Sequence, residues 1–465
     1  MNLPDFISEY SALFNAIHKV VPPSMKIYLV GGAVRDILLE RPIRDFDFTV
    51  EGLVRPIGKH IADELNGAYY VLDDEREMVR VIIDDEQMGQ FDIDIALLTG
   101  DSIEDDLRDR DFTFNAMAIQ ISDPPELIDP LGGWNDLQNK RLRMCNSHSL
   151  SDDPLRSMRA VRMSLEFGLE MDAELLAAMY ETNSKLSASS MERYRDELFK
   201  IIRLYQNGKA LRKFEEFRFL DHLFPDWYNE FSPEVEWIEN TDLFCSLLTY
   251  NRNVNELKDD FIVFATSRLG NYKEALINFF DKSIALYHNR RMLTSFASIA
   301  FTLTKGIDII KPWCSRLAFS SSETNFVLNA IASFIRIKTL GDPSPCGDVE
   351  IYRFFNQYKE GGLAGLILFL ADGYGQKNEA RAYQIWCDKV VFVQNLVSAY
   401  FTRYMEVISP VPMLTGHDIQ ELLGIPAGPI IGVMKNSLIE AQIRGSVETL
   451  DEAKSFLRQQ IKHYS

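Results

Sequence analysis

A chain of 465 residues, 46% hydrophobic and 25% charged, has the balance of a soluble globular protein and the length of roughly three domains. This excludes a disordered chain, a collagen and a coiled-coil rod, and the longest apolar run, residues 363–371, falls well short of the ~20 residues that cross a bilayer. The formal charge of -19 taken alone counts against nucleic acid as a partner, although such an average can hide a local basic surface. The opening MNLPDFISEY has no basic segment ahead of an apolar stretch, so no signal peptide is expected. Residues 25–30 (MKIYLV) are a short apolar run ending in Gly31-Gly32, a strand entering a turn, and residues 33–39 have helical character. Asp45–Val50 (DFDFTV) alternates acids with aromatic or β-branched residues, the period of a strand. Residues 79–83 and 90–98 read as two more strands around the polar turn DDEQMG, whereas residues 111–121 fit a helix start or a strand equally. Residues 129–143 carry Gly132-Gly133 and end basic. From Asp152 onward the spacing is helical, with Pro/Gly clusters at 341–347 and 408–412 that read as linkers. Five scattered cysteines without a CxxC argue for a reducing, cytoplasmic setting and against a disulfide framework or a zinc site. The fold class expected is α+β: a small head with an antiparallel or mixed sheet, then a long all-α remainder.

The chemistry concentrates in Gly31-Gly32-Ala33-Val34-Arg35-Asp36 and, nine residues further on, Asp45-Phe46-Asp47. A glycine pair between strand and helix lets the backbone approach a triphosphate, and the helix start offers free N–H groups. Asp45 and Asp47, at i and i+2 on a strand, point the same way, about 6.6 Å apart along the strand at ~3.3 Å per residue. Such a pair can hold two Mg²⁺ ions. Either piece alone reads as an ordinary turn or a solvated edge strand; in this order and spacing they read as one site. Residues 91–95 (FDIDI) offer a third carboxylate, Asp94 ahead of Asp92, although both also fit the solvent face of an alternating strand.

Several ordered blocks now resemble a known family, the class II tRNA nucleotidyltransferases and bacterial poly(A) polymerases of the polymerase β superfamily. LVGGAVRDILLERPIRDFDFTV resembles its metal and triphosphate motif, DLRDRDFTFNAMAI its sugar-contacting RRD block, and DPLGGWNDLQNKRLR the block joining head to neck. DDPLRSMRAVRMSLEFGLEMD resembles the base-reading EDxxR block, MERYRDELFKII the last, helix-stabilising block, and LTGHDIQELLGIPAGPIIGVM the tail. The resemblance implies that Gly31, Gly32 and Arg35 bind the triphosphate, with Asp36 on the same helix, and that Asp45 and Asp47 bind metal. It further implies that Arg110 and Asp111 hold a ribose hydroxyl, that Asp153 and Arg156 read the base edge, and that Arg159 and Arg162 meet phosphate. Outside that context Asp153 and Arg156, three residues apart, would read as an ordinary surface salt bridge.

Asp109 stands where the family has the first Arg of RRD, and Asp152 where it has Glu. Arg76, Glu77 and Arg80 fall where the family has a flexible loop that helps the switch from C to A addition; a plain β-hairpin turn is an equal local reading. His417-Asp418 lacks companions at metal-ligand spacing and reads as structural, and Phe214, Phe217, Phe219 and Phe224 read as core. The implied plan is a catalytic polymerase β-like head at 1–145, a base-recognising neck at 146–205, a helical body at 206–408 and a tail at 409–465 that is a candidate for binding tRNA. The implied activity is template-independent addition of CCA to the tRNA 3′ end from CTP and ATP, by a two-Mg²⁺ mechanism with Asp45, Asp47 and Asp94 as catalytic carboxylates. A-adding, CC-adding and poly(A)-adding enzymes are the near alternatives. A silent RNA-binding relative is disfavoured by the intact Asp45 and Asp47, and a small-molecule nucleotidyltransferase by the DDPLR block and the long helical body. Arg141, Arg143, Arg159, Arg162, Lys435 and Arg444 are the basic candidates for RNA contact.

Overall fold

The computed structural model describes residues 9–463, except 86–88, 123, 183–185, 187–188, 228–234, 248–258, 286–287, 305, 340–345 and 377–380. The middle of the DDEQMG turn and most of the 341–347 linker therefore lie outside the described residues. The chain divides into two compact units, Met1–Arg193 with Glu216–Phe219, and Tyr194–Glu215 with Leu220–Ser465.

In the first unit β1 (Ile27–Val30), β2 (Asp45–Val50), β3 (Ala68–Asp73), β4 (Met78–Asp85), β5 (Gly89–Leu97), β6 (Ala118–Gln120) and β7 (Glu126–Ile128) form one sheet in the order β3-β4-β5-β2-β1-β6-β7. β2 and β5 run parallel and the other neighbours antiparallel, so the sheet is mixed. The alternation in β2 sends Phe46 and Phe48 into the core beneath α1 (Ser11–Val20), α2 (Gly32–Leu38) and α3 (Val54–Glu64), together with Ile37, Ile57, Ile61, Val79, Val81, Ile93 and Ile95. Burying a side chain of that size contributes about 1.5–3 kcal/mol. A one-residue slip would exchange both phenylalanines for Asp45 and Asp47, so the register is fixed and the two acids stay on the opposite face.

Residues 111–121 take both expected forms in succession: a 3₁₀ turn over Thr113–Asn115, then β6. The turn is held because Thr113 Oγ1 donates to buried Asp136 at 2.7 Å. After α4 (Ile103–Arg108) and α5 (Gly133–Gln138), the chain enters the helices α6 (Ser149–Asp152), α7 (Leu155–Phe167), α8 (Ala173–Thr182) and α9 (Met191–Ile202). One departure from an all-helical course is β9 (Glu170–Met171), which pairs in parallel with β8 (Arg141–Leu142). Gly168 ends α7 at φ +63°, a left-handed conformation suited to glycine, and turns the chain so that the Glu170 N–H reaches the Lys140 carbonyl at 2.7 Å.

The described part of the second unit is helical. Helices Ser321–Lys338 and Gly361–Gly375 approach so closely that a Cβ on Gly365 would lie 2.8 Å from the Ala330 carbonyl oxygen. The apolar run 363–371 sits in the second of these helices and is buried throughout. Helices Gly416–Leu423, Pro429–Ile443 and Leu450–Gln460 close over their own small core of Leu414, Ile419, Met434, Leu438, Val447 and Leu457, with capping boxes at Thr415 and Thr449. Among the described residues no helix is long and apolar enough to cross a membrane. All five cysteines are free thiols. Phe214, Phe217, Phe219 and Phe224 are buried, as expected of core aromatics.

Candidate functional site

β1 ends at Gly31, whose φ of +73° a side chain would rarely adopt. The same position is tight: a Cβ there would lie 3.1 Å from Arg110 Nη1 and 3.4 Å from Asp47 Oδ2. The turn after β1 thus brings the backbone against one acid of β2 and against the arginine that follows α4. These groups belong to a single cavity of about 470 Å³, lined also by Gly32, Arg35, Asp111, Asn115, Asp153, Arg156, Arg159, Arg162 and Arg193. Every candidate nucleotide-binding residue lines it, and so does Asp47. Asp45 and Asp94 do not.

The arginines are held by specific partners. Arg35 is nearly buried; it donates to Asp36 at 2.8 and 2.9 Å and to Asn115 Oδ1 at 2.7 Å, and its guanidinium stacks 4.3 Å over Phe167. Arg110 donates to Asp106 at 3.0 Å, and its charge favours the ionised form of Asp47. Asp111 is buried. Burial opposes its ionisation, but the Arg159 guanidinium, bonded to it through Nε at 2.9 Å and through Nη2, outweighs this and holds the carboxyl below its usual range. Arg162 pairs with Glu166 at 2.9 Å.

Asp153 and Arg156 line the cavity; the Arg156 backbone N–H donates to the Asp153 carbonyl at 3.0 Å, but their side chains turn to different partners. Arg193, at the start of α9, donates to Asp153 at 2.6 and 3.3 Å. Arg156 donates to the Ser149 hydroxyl at 2.9 Å and to the carbonyls of Asp109 at 3.0 Å and Arg110 at 3.3 Å. Asp109 therefore meets α7 through its backbone, while its side chain, which departs from the family pattern, is exposed. Arg193 escaped the sequence reading, although it lies in the quoted MERYRDELFKII block. Its only sequence signal was a basic residue one turn into a helix.

The acidic face is set by strand register. Asp45 lies opposite Asp92 and Asp47 opposite Asp94 across the parallel β2–β5 pair, so all four carboxylates share one face of the sheet. Across the antiparallel β4–β5 pair Arg80 lies opposite Asp94 and donates to both its oxygens at 2.7 Å; Arg80 Nη1 is 3.6 Å from Asp92. Arg80 is thus a strand residue facing the acids, not part of a loop. Burial, and then the charge of Asp94, push the Asp47 carboxyl up to about 6. Burial and then Asp92 raise that of Asp45. Among the described residues no three acid, histidine or cysteine side chains converge as a metal cluster. Asp45 and Asp47 nevertheless suit a hard divalent cation: they are oxygen donors on one face, neither makes an ion pair among the described residues, and their mutual repulsion is what a cation relieves.

Of the basic candidates for RNA contact, Arg141 pairs with Asp172, Arg143 with Asp136 and Arg444 with Glu440. Lys435 lines a separate cavity in the second unit, beside Tyr352, Tyr400 and Tyr404.

Comparison with known proteins bears on the family and the fold. Residues 27–143 match the family model described as the poly A polymerase head domain, and residues 168–230 the model described as "Probable RNA and SrmB- binding site of polymerase A". A CC-adding tRNA nucleotidyltransferase of Geobacter sulfurreducens is 28% identical over 92% of this chain and 91% of its own length. An A-adding tRNA nucleotidyltransferase of Deinococcus radiodurans is 27% identical over 92% of this chain and 94% of its own. A solved CCA-adding enzyme in complex with CTP superposes with a TM-score of 0.65 at 20% identity, over 98% of this chain and 96% of the other, a likeness of fold.

Proposed function

We propose that this chain, which belongs to the class II tRNA nucleotidyltransferase and poly(A) polymerase family, adds CCA to the 3′ end of tRNA from CTP and ATP without a template. The observation that carries the reading is the single cavity in which the glycine turn, Asp47 and the Asp153/Arg156 region meet. A triphosphate fits against the Gly31-Gly32 backbone, where no side chain keeps it away, with Arg110 beside it. Asp153 offers carboxylate oxygens to an exocyclic amine. A guanidinium N–H of Arg156 suits a ring nitrogen or carbonyl. CTP and ATP both carry an amine beside an accepting ring nitrogen, so one pair serves both and disfavours UTP and GTP. Asp45 and Asp47 would hold Mg²⁺, which supplies charge stabilisation to the attacking 3′-hydroxyl and to the leaving pyrophosphate. The rest of catalysis is positioning of the hydroxyl in line with the α-phosphorus. Arg159 acts by keeping Asp111 ionised and fixed beneath the ribose position. Free cysteines suit a cytoplasmic enzyme.

CC addition is the second reading, favoured by the name of the Geobacter sulfurreducens relative, which matches this chain along nearly its whole length. Incubation with tRNAs lacking one, two or three terminal nucleotides, with CTP, ATP or both, separates the two. Products extended by all three nucleotides support CCA addition. Extension that stops after the second C, and no use of ATP on a CC end, supports the other. Extension on CC ends alone would mark an A-adding enzyme and overturn both.

A further inference from the structure

We propose that Arg80 is the resident counter-cation of the acidic strand face and a positioning residue for it: it holds Asp94 out of the divalent-cation site and so sets how tightly Asp45 and Asp47 bind the ion. The inference rests on the reading of Asp45 and Asp47 as the metal carboxylates.

Three observations carry it. First, the grip on Asp94 is complete. Arg80 Nε and Nη2 each donate at 2.7 Å, one to each oxygen, the parallel two-bond arrangement in which guanidinium and carboxylate pair best. Half-exposed Arg80 meets a carboxylate whose side chain is only 13% exposed, so the pair is less screened by salt than one on the open surface. Second, the grip is built into the register. Val79 and Val81, on either side of Arg80, are fully buried in the core, and Ile93 and Ile95 fix the facing strand in the same way. Arg80 and Asp94 are therefore held across from each other by apolar packing, whatever the charge on either. Third, the face is divided. Asp92 and Asp94 have Arg80 as their cation, while Asp45 and Asp47 have no ion pair among the described residues. Arg80 offsets one of the four negative charges, that of Asp94, and touches Asp92 at 3.6 Å, while Asp45 and Asp47 remain for a cation from solution.

The consequence is a charge balance that mutation can tilt in either direction. With the Arg80–Asp94 pair intact, a divalent ion meets two free carboxylates. Without the guanidinium, Asp94 becomes a third free carboxylate beside Asp47, its parallel-strand partner. Without the Asp94 carboxylate, an uncompensated guanidinium stands next to the ion. At a few ångströms and an intermediate effective dielectric, one unit charge changes the affinity for a divalent ion by about tenfold or more.

The test is a double-mutant cycle read by Mn²⁺ titration of the nucleotide-free full-length chain, with free Mn²⁺ followed by electron paramagnetic resonance and folding checked by circular dichroism. Arg80→Gln is expected to bind Mn²⁺ about tenfold tighter than the unaltered chain, and Asp94→Asn about tenfold weaker. The double variant, which removes both charges of the pair, is expected to return to within about threefold of the unaltered chain. Arg80→Lys, which keeps the charge and loses the fork, is expected to lie near the unaltered chain. If Asp94 were itself a ligand, Asp94→Asn and the double variant would lose Mn²⁺ equally, and the proposal would fall. Should Arg80→Gln alone not fold, Asp94→Asn and the double variant still decide: an unchanged affinity in the first, or a loss in the second as deep as in the first, overturns it. A chain whose Mn²⁺ affinity is indifferent to Asp47→Asn would instead overturn the metal reading of Asp45 and Asp47 and not the Arg80–Asp94 coupling alone.

Discussion

The carboxylate of Asp153 is gripped by Arg193 at 2.6 and 3.3 Å, while Arg156, three residues along the chain, turns to the backbone carbonyls of Asp109 and Arg110. The two groups that would face a nucleotide base are thus aimed by different parts of the first unit. Asp153 is oriented by a helix that begins nearly 40 residues later, and Arg156 by the end of α4.

If Arg193 fixes Asp153, its loss should blur base choice before it stops the reaction. A polar site rejects the wrong base because its groups are otherwise left unpaired, and a carboxylate free to rotate loses that strictness. We expect Arg193→Ala to lower the CTP-over-UTP ratio of kcat/KM by about tenfold, with Arg193→Lys recovering part of it. An unaltered ratio in Arg193→Ala would reduce Arg193 to a wall of the cavity.

Asp47→Asn should cost at least about 10³-fold in nucleotide addition, since metal charge stabilisation is worth several kcal/mol. The metal-free chain should be no less stable for it, because the substitution removes a largely buried negative charge repelled by Asp94 and Asp45. Single-turnover rates together with thermal unfolding measure both effects. Near-normal turnover in this variant is the result that rules out the assignment.

Gly31→Ala tests the turn. At φ +73° and ψ -136°, outside the regions open to a side chain, an alanine costs about 1–3 kcal/mol of backbone strain, and its Cβ must share space with Arg110 Nη1 at 3.1 Å. We expect a modest fall in unfolding temperature and a larger loss in kcat/KM for CTP, about 10²-fold. A variant that loses stability alone, with nucleotide use intact, would place the triphosphate elsewhere.

Far from the cavity, Asp242 makes stability depend on pH. Burial pushes its carboxyl up to about 7, against hydrogen bonds from the Asn207 backbone N–H and side chain and from Ser295. In the unfolded chain an aspartate titrates near ~3.9. Below about pH 4 both states are protonated and the group has no effect. Between there and about 7 the unfolded chain ionises while the folded one resists, so stability falls as pH rises, by at most about 1.4 kcal/mol per unit. Above about 7 the slope ends. Urea unfolding at pH 5 and pH 7.5 should show this fall in the unaltered chain and a flatter response in Asp242→Asn, whose overall stability is lower because an amide cannot accept all three bonds.

Much of this was legible in the sequence where the pattern was local. The alternation of Asp45–Val50 gave both the strand and the shared face of its acids, and Gly31 announced its turn. Nonlocal relationships were not legible. That β2 and β5 pair in parallel depends on how an intervening helix and hairpin fold back, and only that pairing sets Asp47 beside Asp94. Residues 79–83 read as a strand from their own pattern, and only the family resemblance puts Arg80 with Arg76 and Glu77 in a loop. Its alternation with Val79 and Val81, set against that of Asp92 and Asp94 with Ile93 and Ile95 across a hairpin, was the available signal. The Asp153–Arg193 pair has no local trace at all. Residues 170–171 escaped because two residues are too few to show any period, and what makes them a strand is the partner Arg141–Leu142.

The hairpin that joins Arg80 to Asp94 also bears on the order in which the face is assembled. The two residues are 14 positions apart, whereas Asp47 and Asp94 are more than three times as far apart along the chain. Closing the shorter loop loses less entropy, and antiparallel neighbours need no crossover. We therefore expect Asp94 to meet its arginine before it meets Asp47, so that the growing sheet does not have to bring four bare negative charges together at once. Pulse-labelled hydrogen exchange during refolding would register this as protection of the Val79 and Val81 amides ahead of Phe46 and Phe48; simultaneous protection of both sets would show that the face forms in one step.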